Sequence, residues 1–283
     1  MEWWLILLLA VVQGLAELLP VSSSAHVIAV MKLLDRDPSS PEMVYLLIML
    51  HTGTMFAVIV YFWSRWKARI WPSGSLDTGF VWHVLVATAI TGVVGLGLKE
   101  VIERASGEDV EALFKNVPLM ATMLVLVGLL ILAAGLTERD WGKPLTTPTS
   151  LWIGFIQGLC LPFRGFSRSG ATISVGLFRG LPRTLAEEYS FALAVVLTPP
   201  VIVRGVWRLF RGEGHLSHER MLEMLTPGLV GMVFAFLAGL VALRVLSAVL
   251  EQGRWAWFGV YCLGFATLLF VGVGAGWFTA PSP

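Results

Sequence analysis

A carboxylate, three consecutive hydroxyls and an imidazole lie within ten residues of one another in ELLPVSSSAH, Glu17 to His26, directly after the apolar run MEWWLILLLAVVQGLA. Gln13 and Glu17, spaced i, i+4, share one face of a helix. Pro20 ends that helix, because its ring cannot continue the ladder. Ser22, Ser23 and Ser24 then stand where a new helix starts. Serines there cap free N–H groups, and the same groups, with the helix dipole, bind anions. Capping alone would account for one serine. Three serines with Glu17 and His26 in an apolar setting point to function, since an ionisable residue at membrane depth marks a site by default.

A second stretch, FRGFSRSGAT (163–172), supplies the opposite chemistry. Arg168 stands between Ser167 and Ser169, with Thr172 one turn on. Arginine is always charged and offers a planar fork of donors to phosphate oxygens. Gly165 and Gly170 let backbone N–H groups approach a ligand. Arg164 can instead snorkel to an interface, which leaves Arg168 as the better anion ligand. Together the two stretches form a nucleophile–base set facing an anion cradle. The chemistry suggested is phosphoryl transfer to water, on a substrate whose tail sits in lipid.

The elements that position these groups follow from composition. Of 283 residues, 56% are hydrophobic and 14% charged, with a mean hydropathy of +0.77. A soluble domain is about one quarter charged, so the chain is an all-α integral membrane protein. The net charge of +1 gives no sign of a nucleic-acid partner, and twelve tryptophans suit an extensive bilayer interface. Cys160 and Cys262 match no metal spacing and are read as packing residues. The first residues lack a basic n-region and a small-residue cleavage pattern, against a cleaved signal. Apolar runs at 43–63, 80–103, 116–137, 184–206, 226–250 and 255–278 each meet the requirement of about 20 residues for a span. Two further pieces, 2–34 and 150–180, are broken at LLPVSSSAH and LPFRGFSRSG, and their halves are too short to cross. Broken backbone is tolerated at depth only where it is buried in protein or lines a wet cavity. Both are therefore expected to be re-entrant helical hairpins; for the second, the alternative of one long helix with a surface loop is disfavoured by Pro162 and Gly165.

An internal repeat supports that expectation. VVQGLAELLPVSSSAH (11–26) overlays FIQGLCLPFRGFSRSG (155–170) at a constant offset of 144, placing Gln13-Gly14-Leu15 on Gln157-Gly158-Leu159 and Ser23 on Ser167. The single membrane domain, 1–283, then divides into a first repeat, 1–140, and a second, 141–283, inserted with inverted topology. Such architectures build a site near the midplane from discontinuous helices. The basic segment WSRWKARIW (63–71) reads as a cytoplasmic loop, with TERDWGK (137–143) on the same side and Glu100 to Glu111 outside. The first hairpin then enters from the outer face and the second from the inner. Arg208, Arg211 and Arg220 near the loop at 207–220 weaken the charge bias.

At the two broken segments the sequence resembles the undecaprenyl-pyrophosphate phosphatase family, also called the bacitracin-resistance protein family. The first family motif, Glu or Gln, three residues, Glu and then an LPVSSxxH-like run, is matched by Gln13, Glu17 and LLPVSSSAH. The second, PGxSRSxxT, is matched by RGFSRSGAT. Three positions depart: Arg164 replaces the usual proline, Ala25 the common glycine, and Gln13 leaves one carboxylate in the first motif. The resemblance spans nearly the whole chain. It implies hydrolysis of a C55 isoprenyl pyrophosphate to the monophosphate, recycling the lipid carrier of cell-wall synthesis, with the site open to the outer face of a bacterial cytoplasmic membrane. It implies Ser23 as nucleophile, Glu17 as its base or as a ligand to a divalent cation such as Mg²⁺ or Ca²⁺, and His26 as proton carrier or rival nucleophile. Arg168 would clamp the pyrophosphate, with Ser22, Ser167, Ser169, Thr172 and Gln13 binding substrate. Partners expected are the lipid pyrophosphate and membrane lipids, with a homodimer left open.

The competing expectation is a transporter, a flippase of a polyprenyl phosphate or small anion, since inverted repeats with broken helices are typical of transporters. Transport needs an anion site but no nucleophile or proton carrier. His51, in MLHTGT, either faces the site or is a structural histidine. His83 has a similar structural reading, and His215 and His218 fall in a polar loop.

Overall fold

The computed structural model describes residues 2–75, 77–107, 110–114, 116–137, 142–211 and 218–278. His215 and most of TERDWGK lie outside them. Eleven α-helices follow in order: α1 (Trp3–Leu18), α2 (Ser23–Leu33), α3 (Pro41–Ile70), α4 (Thr78–Ser106), α5 (Val110–Leu113), α6 (Val117–Thr137), α7 (Thr147–Cys160), α8 (Arg168–Phe178), α9 (Arg183–Arg211), α10 (His218–Glu251) and α11 (Ala256–Gly274). No strand occurs among the described residues. Six helices, α3, α4, α6, α9, α10 and α11, are long and apolar enough to cross a membrane. They match the six expected spans.

The two broken segments are helix–break–helix pairs. α1 stops at Leu18, and the chain turns extended at Leu19, whose φ and ψ are −78° and 150°. Pro20 follows, and Ser22 takes a φ of +67°, the left-handed region. A non-glycine residue there costs about 1–2 kcal/mol, so surrounding contacts must hold it. The second break, between α7 and α8, contains Gly165 at φ +96°. A Cβ there would lie 2.3 Å from the Met120 carbonyl oxygen, so the turn needs glycine for both conformation and space.

The broken pairs are held reciprocally. α1 packs along α10, and α7 along α4. In each case the approach is close because the facing residue is a glycine. A Cβ on Gly14 would meet the Ala235 carbonyl oxygen at 2.7 Å, and one on Gly158 would meet the Thr91 carbonyl oxygen at 3.1 Å. Gly14 and Gly158 are the equivalent residues of the 144-residue offset. α6 packs on α11 between the two systems, and α8 reaches α6 and α9.

One expectation is corrected. WSRWKARIW is not a loop; α3 continues through Ile70. Two of its three charged residues find buried partners on α9. Arg69 donates to Glu188 Oε2 from Nη2 at 2.8 Å and from Nε at 3.1 Å. Arg65 Nη1 lies 3.7 Å from Glu187 Oε2. The Glu187 carboxylate also accepts from Ser247 of α10 at 2.6 Å, and Ser247 accepts from Tyr61 at 2.9 Å. Paired, these carboxylates can be buried, and extending α3 brings the arginines to them.

Candidate active site

Glu17 occupies the last turn of α1, where the break turns its carboxylate toward the start of α2. Its two oxygens have different company. Oε2 accepts from Ser23 Oγ at 2.5 Å and from Gln13 Nε2 at 3.1 Å. Oε1 accepts from Arg168 Nη2 at 3.2 Å. The i, i+4 pairing of Gln13 and Glu17 is therefore realised, and Gln13 steadies the carboxylate from beneath. Ser23 and Arg168 are each the first residue of a helix, α2 and α8 respectively, so two helix N-termini converge on one carboxylate.

The breaks are also tied directly. Ser24 Oγ accepts from the Gly165 amide at 3.4 Å, and Ser22 Oγ lies 3.3 Å from Ser24 Oγ. Ser167 caps α8 by accepting from the Gly170 amide at 3.3 Å. Ser22 makes no such side-chain cap on α2, leaving the first-turn N–H groups of α2 suited to an anion.

Glu17 and Arg168 border a small crevice of about 10 Å³, room for about one water molecule. Their side chains keep 17% and 21% exposure, so both remain reachable. Leu18, Met55, Val58 and Val195 line the rest, with Thr54 and Thr198. The crevice thus has a charged end and a largely apolar wall made by α3 and α9.

His51 belongs to this set. Its Nδ1 donates to the Leu47 carbonyl at 2.8 Å, and its Nε2 lies 3.7 Å from Glu17 Oε2. The sequence left it undecided because a histidine within a span carries no local motif. Its position one α3 turn before Thr54 and Met55 was the available signal.

Other residues stand further back. Thr172 is buried, donates to the Arg168 carbonyl at 2.8 Å and lies 2.6 Å from Ser190 Oγ, fastening α8 to α9. Ser169 is buried with its hydroxyl 3.5 Å from Ser167 Oγ. Arg164 lies over the Phe114 ring, 4.3 Å from its centroid. His26 projects from α2 toward α11: Nδ1 is 2.8 Å from the Ser22 carbonyl oxygen and Nε2 is 2.8 Å from the Tyr261 hydroxyl.

Glu17 is the single carboxylate in this set, and no group of three or more His, Cys, Asp or Glu among the described residues could hold a metal ion by itself. The donors fit a cation shared with a substrate. Mg²⁺ is commonly held by one or two carboxylates with phosphate oxygens and water completing its shell.

Comparison with known proteins gives a consistent result. The family model described as Bacitracin resistance protein BacA matches residues 6–268. A protein of Acinetobacter baylyi named undecaprenyl-diphosphatase 2 is 53% identical over 269 residues, covering 92% of this chain and 94% of that one. A protein of the same name from Burkholderia ambifaria is 33% identical over 96% of this chain and 97% of its own. An undecaprenyl-diphosphatase of Korarchaeum cryptofilum is 32% identical over 91% and 94%.

Proposed function

Because the chain belongs to the bacitracin resistance protein BacA family, we propose that its paired helix breaks form the active site of an undecaprenyl-diphosphatase, a multi-pass membrane hydrolase. It cleaves the phosphoanhydride of undecaprenyl pyrophosphate with water, giving undecaprenyl phosphate and inorganic phosphate, and so recycles the lipid carrier of cell-wall synthesis. The observation that carries this is the Glu17 carboxylate, which holds a hydroxyl nucleophile on one oxygen and an anion-binding guanidinium on the other.

The steps follow from that geometry. The pyrophosphate meets the Glu17–Arg168 pair at the junction of the two breaks, with its tail on the apolar surface of α3 and α9. Arg168 and the first-turn N–H groups of α2 bind its oxygens, countering charge where it builds up. Ser23 Oγ attacks the terminal phosphorus while its proton passes to Glu17, since a neutral hydroxyl needs a base. The P–O bond to the bridging oxygen breaks, and undecaprenyl phosphate leaves. Water then attacks the phosphoserine, restoring Ser23 and releasing phosphate. His26 carries protons at the neighbouring turn. A divalent cation, held by Glu17 together with the substrate's own oxygens, would supply further charge neutralisation.

The reciprocal packing of α1 with α10 and α7 with α4, through equivalent glycines, supports two inverted repeats whose broken pairs are re-entrant. We place the protein in the bacterial cytoplasmic membrane with the site open to the outer side. The transporter reading is not favoured: it gives no task to Ser23 on Glu17, and the relatives compared are named as diphosphatases. The direct test is phosphate release from C55 isoprenyl pyrophosphate by purified protein in detergent, where no compartments exist. Turnover that vanishes in Ser23→Ala and Arg168→Ala is expected. A well-folded parent without turnover, with or without Mg²⁺ or Ca²⁺, would sink the hydrolase.

A further inference from the structure

His26 is the one group assigned to the reaction whose side chain is held from the far end of the sequence. Its Nδ1 lies 2.8 Å from the Ser22 carbonyl oxygen. A carbonyl can only accept, so Nδ1 carries the hydrogen, and in the neutral ring Nε2 presents the lone pair. That lone pair meets the Tyr261 hydroxyl at 2.8 Å, across 235 residues of sequence. The ring is also sandwiched on α11, with its centroid 3.9 Å from that of Phe265 and the planes 8° apart.

The other end of the ring controls the loop. The Ser22 carbonyl accepts both from His26 Nδ1 and from the His26 amide, the latter at 3.4 Å. Ser22 is the residue in the left-handed conformation, φ +67°, and the two hydroxyls after it touch Glu17 and the Gly165 amide. A conformation of that kind persists only where its surroundings over-determine it. The chain of contact therefore runs from Tyr261 Oη through the imidazole to the Ser22 carbonyl and so to Ser23.

We infer that Tyr261 is a positioning residue of the active site: its hydroxyl, donating to Nε2, holds the plane of His26, and through the Nδ1–H bond to Ser22 it holds the turn that aims Ser23 at Glu17. The inference rests on the proposed hydrolase and on a role for His26. Tyr261 sits on α11 with about half its surface open, and it meets His26 through its hydroxyl and through its ring, stacked at 5.7 Å between centroids. Loss of that hydroxyl leaves His26 Nε2 without its partner, with the ring held by stacking alone, and loosens the turn without altering the anion cradle on α8.

The test is a double-mutant cycle on C55 isoprenyl pyrophosphate hydrolysis with the full chain in detergent, using Tyr261→Phe, His26→Gln and both together. Tyr261→Phe keeps the ring and removes only the hydroxyl; its melting temperature checks that it folds. The expected result is a fall in kcat of about 10-fold, part of what a positioned proton carrier contributes, with KM within about two-fold. In the His26→Gln background, which alone is strongly impaired, the second change adds nothing. Parent-like turnover in Tyr261→Phe, a change in KM alone, or losses that multiply in the double variant would each overturn the inference. Near-normal turnover in His26→Gln would instead remove the reading on which it rests.

Discussion

Glu17 and Arg168, 151 residues apart, meet at 3.2 Å across the junction of two helix breaks. The pair joins the hydroxyl-bearing break to the cation-bearing one before any substrate arrives. A guanidinium has five donors, so one can remain on Glu17 while others turn to phosphate. Replacing Arg168 by Ala is expected to lower kcat/KM by at least about 100-fold, the scale of losing one preorganised donor to developing charge. Arg168→Lys should recover only part, because an ammonium cannot bridge carboxylate and phosphate as a fork does. Steady-state kinetics on the lipid pyrophosphate decide it; a Lys variant equal to the parent would mean that only the charge matters.

Ser23→Ala and Glu17→Gln are expected to lose activity together, by about 1,000-fold or more each, and the double variant to be no worse than either. Residues that act as one unit give such non-additive losses. If Ser23→Ala kept a tenth of the turnover, the nucleophile would be another group, with His26 the first to examine.

Gly165→Ala should be among the most damaging small substitutions in the protein. It adds a Cβ 2.3 Å from the Met120 carbonyl oxygen and demands φ +96° of a residue with a side chain. The expected cost is about 3 kcal/mol or more, combining overpacking with backbone strain. Gly97→Ala, where the added Cβ has open space, serves as the control and should leave the melting temperature within a few degrees. Thermal unfolding in detergent compares the two.

Removing divalent cations should suppress turnover without unfolding the protein. No group of three or more metal-binding side chains is present among the described residues, so a cation would arrive with the pyrophosphate. EDTA is expected to lower activity reversibly, with Mg²⁺ or Ca²⁺ restoring it, while the melting temperature of the substrate-free protein stays fixed. A melting temperature that drops on chelation would reveal a resident ion.

Arg69→Met is expected to destabilise the fold by about 1–3 kcal/mol. It leaves Glu188 buried without its cation, and the partial exposure of Arg69 moderates the loss. Glu188→Gln, which removes the buried charge itself, should cost less. Equal stability of Arg69→Met and the parent, measured by thermal unfolding, would show that the pair contributes nothing to holding α3 on α9.

Much of this site can be read along the chain, for a local reason. Gln13, Glu17 and Ser23 fall in one motif, and the repeat at offset 144 sets Ser167 against Ser23, with Arg168 the next residue. The six spans are legible because a lipid-facing helix must be apolar over about 20 residues. What escaped depended on partners far away in sequence. Arg65, Lys67 and Arg69 look like a loop until Glu187 and Glu188 are seen buried opposite two of them. Thr172 reads as a phosphate ligand from its motif, and the structure adds its contacts to Ser190 and to the Arg168 carbonyl. His26 looks like a neighbour of Ser23, yet its ring is engaged by Tyr261 and Phe265.

The exchange of α1 onto α10 and α7 onto α4 also sets a schedule for biosynthesis. The first broken helix is among the earliest segments made, but the surface that receives Gly14 lies on Ala235, more than two hundred residues later. Until α10 has been inserted, Gln13, Glu17 and Ser23 have no completed wall behind them, and the nascent amino-terminal half must wait in the bilayer with its polar break unshielded. A chain interrupted after residue 140 would hold six of the eleven α-helices among the described residues and one complete motif, and still lack both the bed for α1 and the arginine for Glu17. The site is therefore complete only once the second half of the chain has supplied Arg168 and the α10 surface.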